Sequence, residues 1–164
     1  MIPAFEADGT LPLGRHVATA VEVEQRFVQP FPQSVRRPAL YADWRLRRTQ
    51  IAALTAIEME WLDGSFTTAK NDPGDIDLVT FVSLDAYNQL SIADRQKLFE
   101  LAQARAKLLF GCDGYLVVVF PRNHPWEENY LRNRGYWDRQ WSYTRPGSAG
   151  LEIEKGYVDV RGAP

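Results

Sequence analysis

The chain carries a single cysteine, Cys112, and only two histidines, His16 and His124. One cysteine excludes an internal disulfide. Two isolated histidines are too few for a zinc site. Excess charge of either sign is also missing: 19 Lys and Arg stand against 21 Asp and Glu, a net charge of −2. That balance argues against a protein that coats nucleic acid by charge alone. No apolar run approaches the roughly 18 residues of a membrane span. The start, Met-Ile-Pro-Ala-Phe-Glu-Ala-Asp-Gly, has neither the basic opening nor the apolar stretch of a secretion signal. A cytoplasmic location is the expectation. There is no Walker A sequence, no Gly-x-Gly-x-x-Gly and no Gly-x-Ser-x-Gly. Repeats and low-complexity segments are absent as well.

What is present is enough for one packed domain. The 164 residues are 45% apolar and 12% aromatic, which suits a single core spanning residues 1–164. Residues 1–15, with Pro3, Gly9, Pro12 and Gly14, read as an extended arm. A short helix fits 18–28, ended by Pro30. A second helix fits Pro38 to Leu54, with Leu40, Trp44, Ile51 and Leu54 as its apolar stripe. Residues Ala56–Leu62 alternate Ile57, Met59 and Trp61 against Glu58 and Glu60, the pattern of a half-exposed strand. Ile76–Val82 is the next strand. Ser91 to Asp94 resembles a capping box and opens a helix to about Phe110, with Phe99, Ala102 and Leu109 inward and Gly111 as its stop. Gly114–Phe120 is apolar throughout and reads as a central strand ended by Pro121. A helix over Trp126–Trp141 and a late strand over Leu151–Val160, with a break at Gly156, complete an α+β chain: a mixed sheet with helices packed on it.

The richest stretch is 62–77, Leu-Asp-Gly-Ser-Phe-Thr-Thr-Ala-Lys-Asn-Asp-Pro-Gly-Asp-Ile-Asp. Asp75 and Asp77 stand two apart at the head of an apolar run. On a strand, residues i and i+2 share a face, so both carboxylates project together. Mg²⁺ is held through one or two carboxylates plus substrate phosphates. The Gly64-Ser65 turn can bring backbone N–H groups to those phosphates. The same residues also permit a plainer reading, a loop in which Asp75 makes a turn and Asp77 is solvated.

Gly64-Ser65 followed by Asp75-Ile76-Asp77 resembles the signature of the DNA polymerase β-like nucleotidyltransferase superfamily. Further stretches resemble a bacterial family of small nucleotidyltransferase-like proteins: Ile-Pro-Ala-Phe-x-x-Asp-Gly-x-Leu-Pro-x-Gly at 2–14, Asp63 to Asp77, His124-Pro125, Tyr136-Trp137 and Lys155-Gly156. The resemblance implies a nucleotidyltransferase-like domain using Mg²⁺ or Mn²⁺ and a nucleoside triphosphate. It implies that Asp75 and Asp77 hold metal and that a third carboxylate follows on a later strand. Asp113 is the first choice for that ligand or for the base, and Asp159 the second. Gly64 and Ser65 would bind the triphosphate, with Lys70 neutralising phosphate charge or standing as an exposed loop lysine. The acceptor would be RNA or protein. Some superfamily members of this size are catalytically silent or act as antitoxins, which is the alternative.

Three side-chain groups invite other readings. Trp126, Tyr130, Trp137 and Trp141, interleaved with Arg132, Arg134, Arg139 and Arg145, fit either a clamp for single-stranded nucleic acid or a core face backed by a solvated basic face, which is preferred. The span Trp126–Tyr143 is also the expected contact surface for a second copy or a partner protein. Arg36, Arg37, Arg45, Arg47 and Arg48 read as a solvated helix face, Cys112 as a buried inert thiol, and His124 as a structural turn residue.

Overall fold

The structure, a computed structural model, describes residues 1–144 and 152–162. Five strands, β1 (Gly14–Ala18), β2 (Met59–Asp63), β3 (Ile76–Ser83), β4 (Cys112–Val119) and β5 (Gly156–Val160), form one mixed sheet in the order β1-β5-β2-β3-β4. The outer pairs, β1 with β5 and β3 with β4, are parallel; β2 runs antiparallel to both of its neighbours. The expected mixed sheet with packed helices is what the chain forms.

Strand alternation gives the sheet two different faces. One face carries Leu62, Ile76, Leu78, Val82, Cys112, Val158 and Val160, and packs on several helices. These are α1 (Ala20–Phe27), α2 (Arg36–Ala52), α4 (Ile92–Phe99), a π-helical segment (Glu100–Ala104) and α5 (Ala106–Phe110). Short α3 (Leu84–Asn88) links β3 to α4. The opposite face carries Met59, Trp61, Val79, Phe81, Val117 and Tyr157, covered by Tyr130 and Trp141 of α6 (Glu127–Trp141). Local chemistry fixes the helix ends. Thr19 and Glu22 form a capping box at α1, Ser91 caps α4, and Gly111 at φ 61° closes α5.

Four expectations are corrected. The apolar strand β4 lies at the sheet edge, whereas β2, read as half-exposed, is central and buried along its whole length. Glu60 misled the reading because a buried ion pair, not water, satisfies it. Phe99 and Leu109 turn outward, while Leu98, Leu101, Ala102, Ala106 and Phe110 face the core. The π segment puts an extra residue into its turn and shifts the helix phase. Residues 14–18, of which 14 and 15 were assigned to the arm and 18 to the first helix, form β1 beside β5.

The arginine face is the fourth correction. Arg36 is exposed and Arg45 half-buried, but Arg37, Arg47 and Arg48 are wholly buried. Arg47 pairs with Glu60 at 2.7 Å, and donates to Leu101 O at 2.9 Å and Ala102 O at 3.0 Å. It thus caps carbonyls of the π segment. Arg48 Nε lies 3.2 Å from Glu60 Oε2, close enough for an ion pair although not aligned as a hydrogen bond. Thr80 and Trp44 complete the shell around that carboxylate. Of the later expectations, Arg145 and Leu151 lie outside the described residues. The late strand begins at Gly156, the expected break.

Candidate active site: a carboxylate and aromatic cleft

Strand register lines up three aspartates. Asp63 ends β2 and pairs with Asp77 on β3, and Asp77 pairs with Asp113 on β4. Directly opposed residues share a sheet face, so the three carboxylates form a row across the strand ends. Asp75, one residue before β3, lines the same cleft. Its neighbour Ile76 donates its N–H to Gly111 O at 3.1 Å, which pins the head of β3 beside the end of α5.

Gly64 follows Asp63 directly, at φ 78°. A Cβ added there would sit 1.8 Å from Asp77 Oδ2. Asp77 therefore lies against the Gly64 backbone, where only glycine leaves room and adopts the left-handed conformation readily. Ser65 opens the cleft wall behind it. The loop that returns from this turn to Asp75 is clipped by Arg37, whose guanidinium donates six hydrogen bonds to the carbonyls of Phe27, Phe66, Thr68, Lys70 and Asn71. Burial lowers its pKa to about 10, opposed by the charge of Asp72.

Two lysines face the carboxylates. Lys107 Nζ on α5 lies 2.9 Å from Asp75 Oδ2 and 3.4 Å from Asp113 Oδ2, which holds its pKa above the ordinary lysine value, chiefly through the hydrogen bond with Asp75. Lys155, just before β5, makes a buried ion pair with Asp63. Burial still pushes the Asp63 carboxyl upward, against the lowering effect of Lys155. Among the described residues, no three His, Cys, Asp or Glu side chains form a ready-made metal cluster. Instead, oxygens of two aspartates already converge on one cationic nitrogen. Hard oxygen donors meeting at a cation suit Mg²⁺ or Mn²⁺, with Asp77 next to Asp113 in register.

The cleft has a volume of about 640 Å³, within the range of small-molecule sites. Away from the carboxylates its wall is aromatic: Tyr115 from β4, Tyr136, Trp137 and Trp141 from α6, then Tyr143. Tyr115 and Trp137 rings stand 4.3 Å apart, and Tyr136 meets Trp137 edge-on at 5.0 Å. Tyr136 is 58% exposed.

Of the expected site residues, Asp75, Asp77, Asp113, Gly64 and Ser65 all line this cleft. Lys70 does not. Its side chain is exposed and its carbonyl serves the Arg37 clip. Asp159 is set apart: it pairs with Trp61 in register and is wholly buried, with Arg161 donating to it at 2.7 Å. Tyr130 and Trp141 are buried and Trp137 partly so, as the preferred core reading expects, whereas Trp126 is 57% exposed; burial removes Trp141 as a docking anchor. Cys112 is buried, its thiol raised to about 12 by burial. His124 accepts from the Trp126 N–H and is structural. Asp63, Lys107, Lys155, Tyr115 and Gln140 were missed as cleft residues. Only Asp63 and Lys155 had a signal, their places in the Asp63–Asp77 and Lys155-Gly156 stretches.

Residues 3–161 match the family of unknown function DUF6932. The chain belongs to that family. The matched span takes in all five strands and the whole lining of the cleft. No curated protein and no solved structure matches the chain.

Proposed function

We propose that this protein is a metal-dependent nucleotidyltransferase that moves a nucleoside monophosphate from a nucleoside triphosphate to an RNA or protein acceptor in the cytoplasm. One observation carries the reading. The Gly64 turn packs on Asp77, and Asp77 stands in register with Asp113, all in one cleft with Asp75 and Ser65. That juxtaposition supports the likeness to DNA polymerase β-like nucleotidyltransferases.

The roles follow from position. Asp75, Asp77 and Asp113 would hold Mg²⁺ or Mn²⁺, which supplies charge neutralisation for the attacking and leaving oxygens of an in-line displacement. The Gly64-Ser65 turn offers N–H groups and a hydroxyl to the terminal phosphates. Asp113, the most exposed of the ion-paired aspartates at 38%, is placed to take the acceptor's hydroxyl proton. The acceptor oxygen forms a bond to the α-phosphorus, the bond to the bridging oxygen breaks, and pyrophosphate leaves. The aromatic wall supports the nucleoside half of the substrate, since stacking of a base on an aromatic ring is worth about 1–3 kcal/mol. Tyr136 is the exposed ring for that contact.

The test is transfer of label. Wild-type protein with each α-labelled triphosphate, Mn²⁺ or Mg²⁺ and cell extract should yield a labelled macromolecule, and Asp77→Asn should yield none. Equal labelling by both proteins would sink the reading. A second reading, a catalytically silent antitoxin or protein-binding domain of the same fold, is favoured by one observation: the Lys107 ammonium lies between Asp75 and Asp113.

A further inference from the structure

We infer that Lys107 is the resident counter-ion of the carboxylate cleft, and that a divalent cation enters by displacing its ammonium. The inference rests on the metal-dependent reading above and deepens it, because it assigns Lys107 a role in how that site is loaded. It begins with geometry. The Nζ atom lies 2.9 Å from Asp75 Oδ2 and 3.4 Å from Asp113 Oδ2, so one charge bridges the carboxylate that precedes β3 and the one that pairs with Asp77 in register. An Mg²⁺ ion binds oxygen at about 2.0–2.1 Å. Two carboxylates cannot close to that distance around a metal while the same oxygens hold an ammonium between them. Metal and lysine therefore compete for one position.

Exposure decides how hard the competition is. The Lys107 side chain is 63% exposed, and those of Asp75 and Asp113 are 27% and 38% exposed. Solvent-exposed ion pairs contribute little, and the long lysine stem lets the head swing into water. Lys155 is the contrast in the same cleft: its pair with Asp63 is buried, both side chains being 8% exposed. Lys107 is therefore the exchangeable cation and Lys155 the permanent one. In the metal-free protein Lys107 also offsets the repulsion among the aligned aspartates, which would otherwise oppose their gathering.

The experiment is Mn²⁺ titration of the intact protein, read by electron paramagnetic resonance, without triphosphate. Lys107→Met should bind Mn²⁺ about three- to tenfold more tightly than wild type, the range set by one or two exposed ion pairs. Lys107→Arg should not gain. Arg105→Met removes the same charge from the neighbouring exposed surface and should change affinity less than about twofold, because exposed charges at a distance are screened. A direct readout accompanies these: amine-selective labelling of Lys107, read on its peptide, should rise when Mn²⁺ is added. Binding by Lys107→Met alone, with none by wild type, also supports the displacement. Mn²⁺ binding that depends on Asp77 but is unchanged in Lys107→Met, with constant labelling of Lys107, overturns this inference and leaves the transferase reading standing. No Mn²⁺ binding by either protein overturns this inference, and the transferase reading then stands or falls on Mn²⁺ binding with the triphosphate present.

Discussion

Two charged clusters occupy opposite faces of the same pair of strands, and they are built to different rules. On the helical face, Glu60 of β2 meets Thr80 of β3 in register, and Arg47 and Arg48 close over it with no exposure at all. Three residues further along β2, on the other face, Asp63 meets Asp77. There the balance is reversed. Asp63, Asp75, Asp77 and Asp113 share a cleft with two lysines, of which one is largely in water. The first cluster has more cation than anion and is sealed. The second has more anion than cation and is open. A sealed, satisfied cluster holds a fold together; an open anionic surplus leaves room for a cation from outside.

Mutations that exchange these properties should behave differently in the two places. Glu60→Gln should be the most damaging, because it leaves Arg47 and Arg48 buried without a counter-charge. A loss of about 3–5 kcal/mol is expected, as for other broken buried pairs, read from the urea midpoint at constant slope. A loss under about 1 kcal/mol would mean that the cluster is hydrated after all.

Gly64→Ala should come next. The left-handed conformation costs a non-glycine residue about 1–2 kcal/mol, and the new Cβ would collide with Asp77 Oδ2. Loss of stability and loss of Mn²⁺ binding should appear together in this variant. Asp77→Asn should separate them. Removing one charge from a crowded anionic row should leave stability within about 0.5 kcal/mol of wild type while abolishing nucleotidyl transfer. A large drop in melting temperature would instead mark Asp77 as structural. The mildest effect belongs to Tyr136→Ala, with stability unchanged and triphosphate binding weakened about tenfold, the size of one lost stacking contact. Calorimetry with a non-hydrolysable triphosphate would measure it.

The open cluster was more legible in the sequence than the sealed one. Asp75 and Asp77 announce themselves by spacing, since two-residue periodicity fixes a shared face before any tertiary contact is known. Asp113 is reached only through the resemblance, which implies a third carboxylate on a later strand. Asp63 opens a stretch that carries the resemblance but has no spacing that marks it as a site residue. It reads as one more residue before a turn, and its partner Lys155 lies 92 residues away. Arg47 and Arg48 were read as solvated because nothing local predicts that a guanidinium will find Glu60 and helix carbonyls in the core. Strand order was misread for a related reason. Apolar runs indicate buried faces, but whether a strand is central depends on pairing, and β5 inserts between β1 and β2 from the far end of the chain. The π segment hid the inward face of its helix by breaking the 3.6-residue period.

The proposed cation site is tested most directly by Mn²⁺ binding in the presence of a non-hydrolysable triphosphate, measured by electron paramagnetic resonance on wild type and Asp77→Asn side by side. Wild type should hold Mn²⁺ more tightly with the triphosphate than without it, because the carboxylates supply only part of the coordination shell and the phosphates complete it. Asp77→Asn should lose that triphosphate-dependent binding while keeping its fold. Identical binding curves for the two proteins, or triphosphate binding by wild type that ignores the metal, would contradict the site.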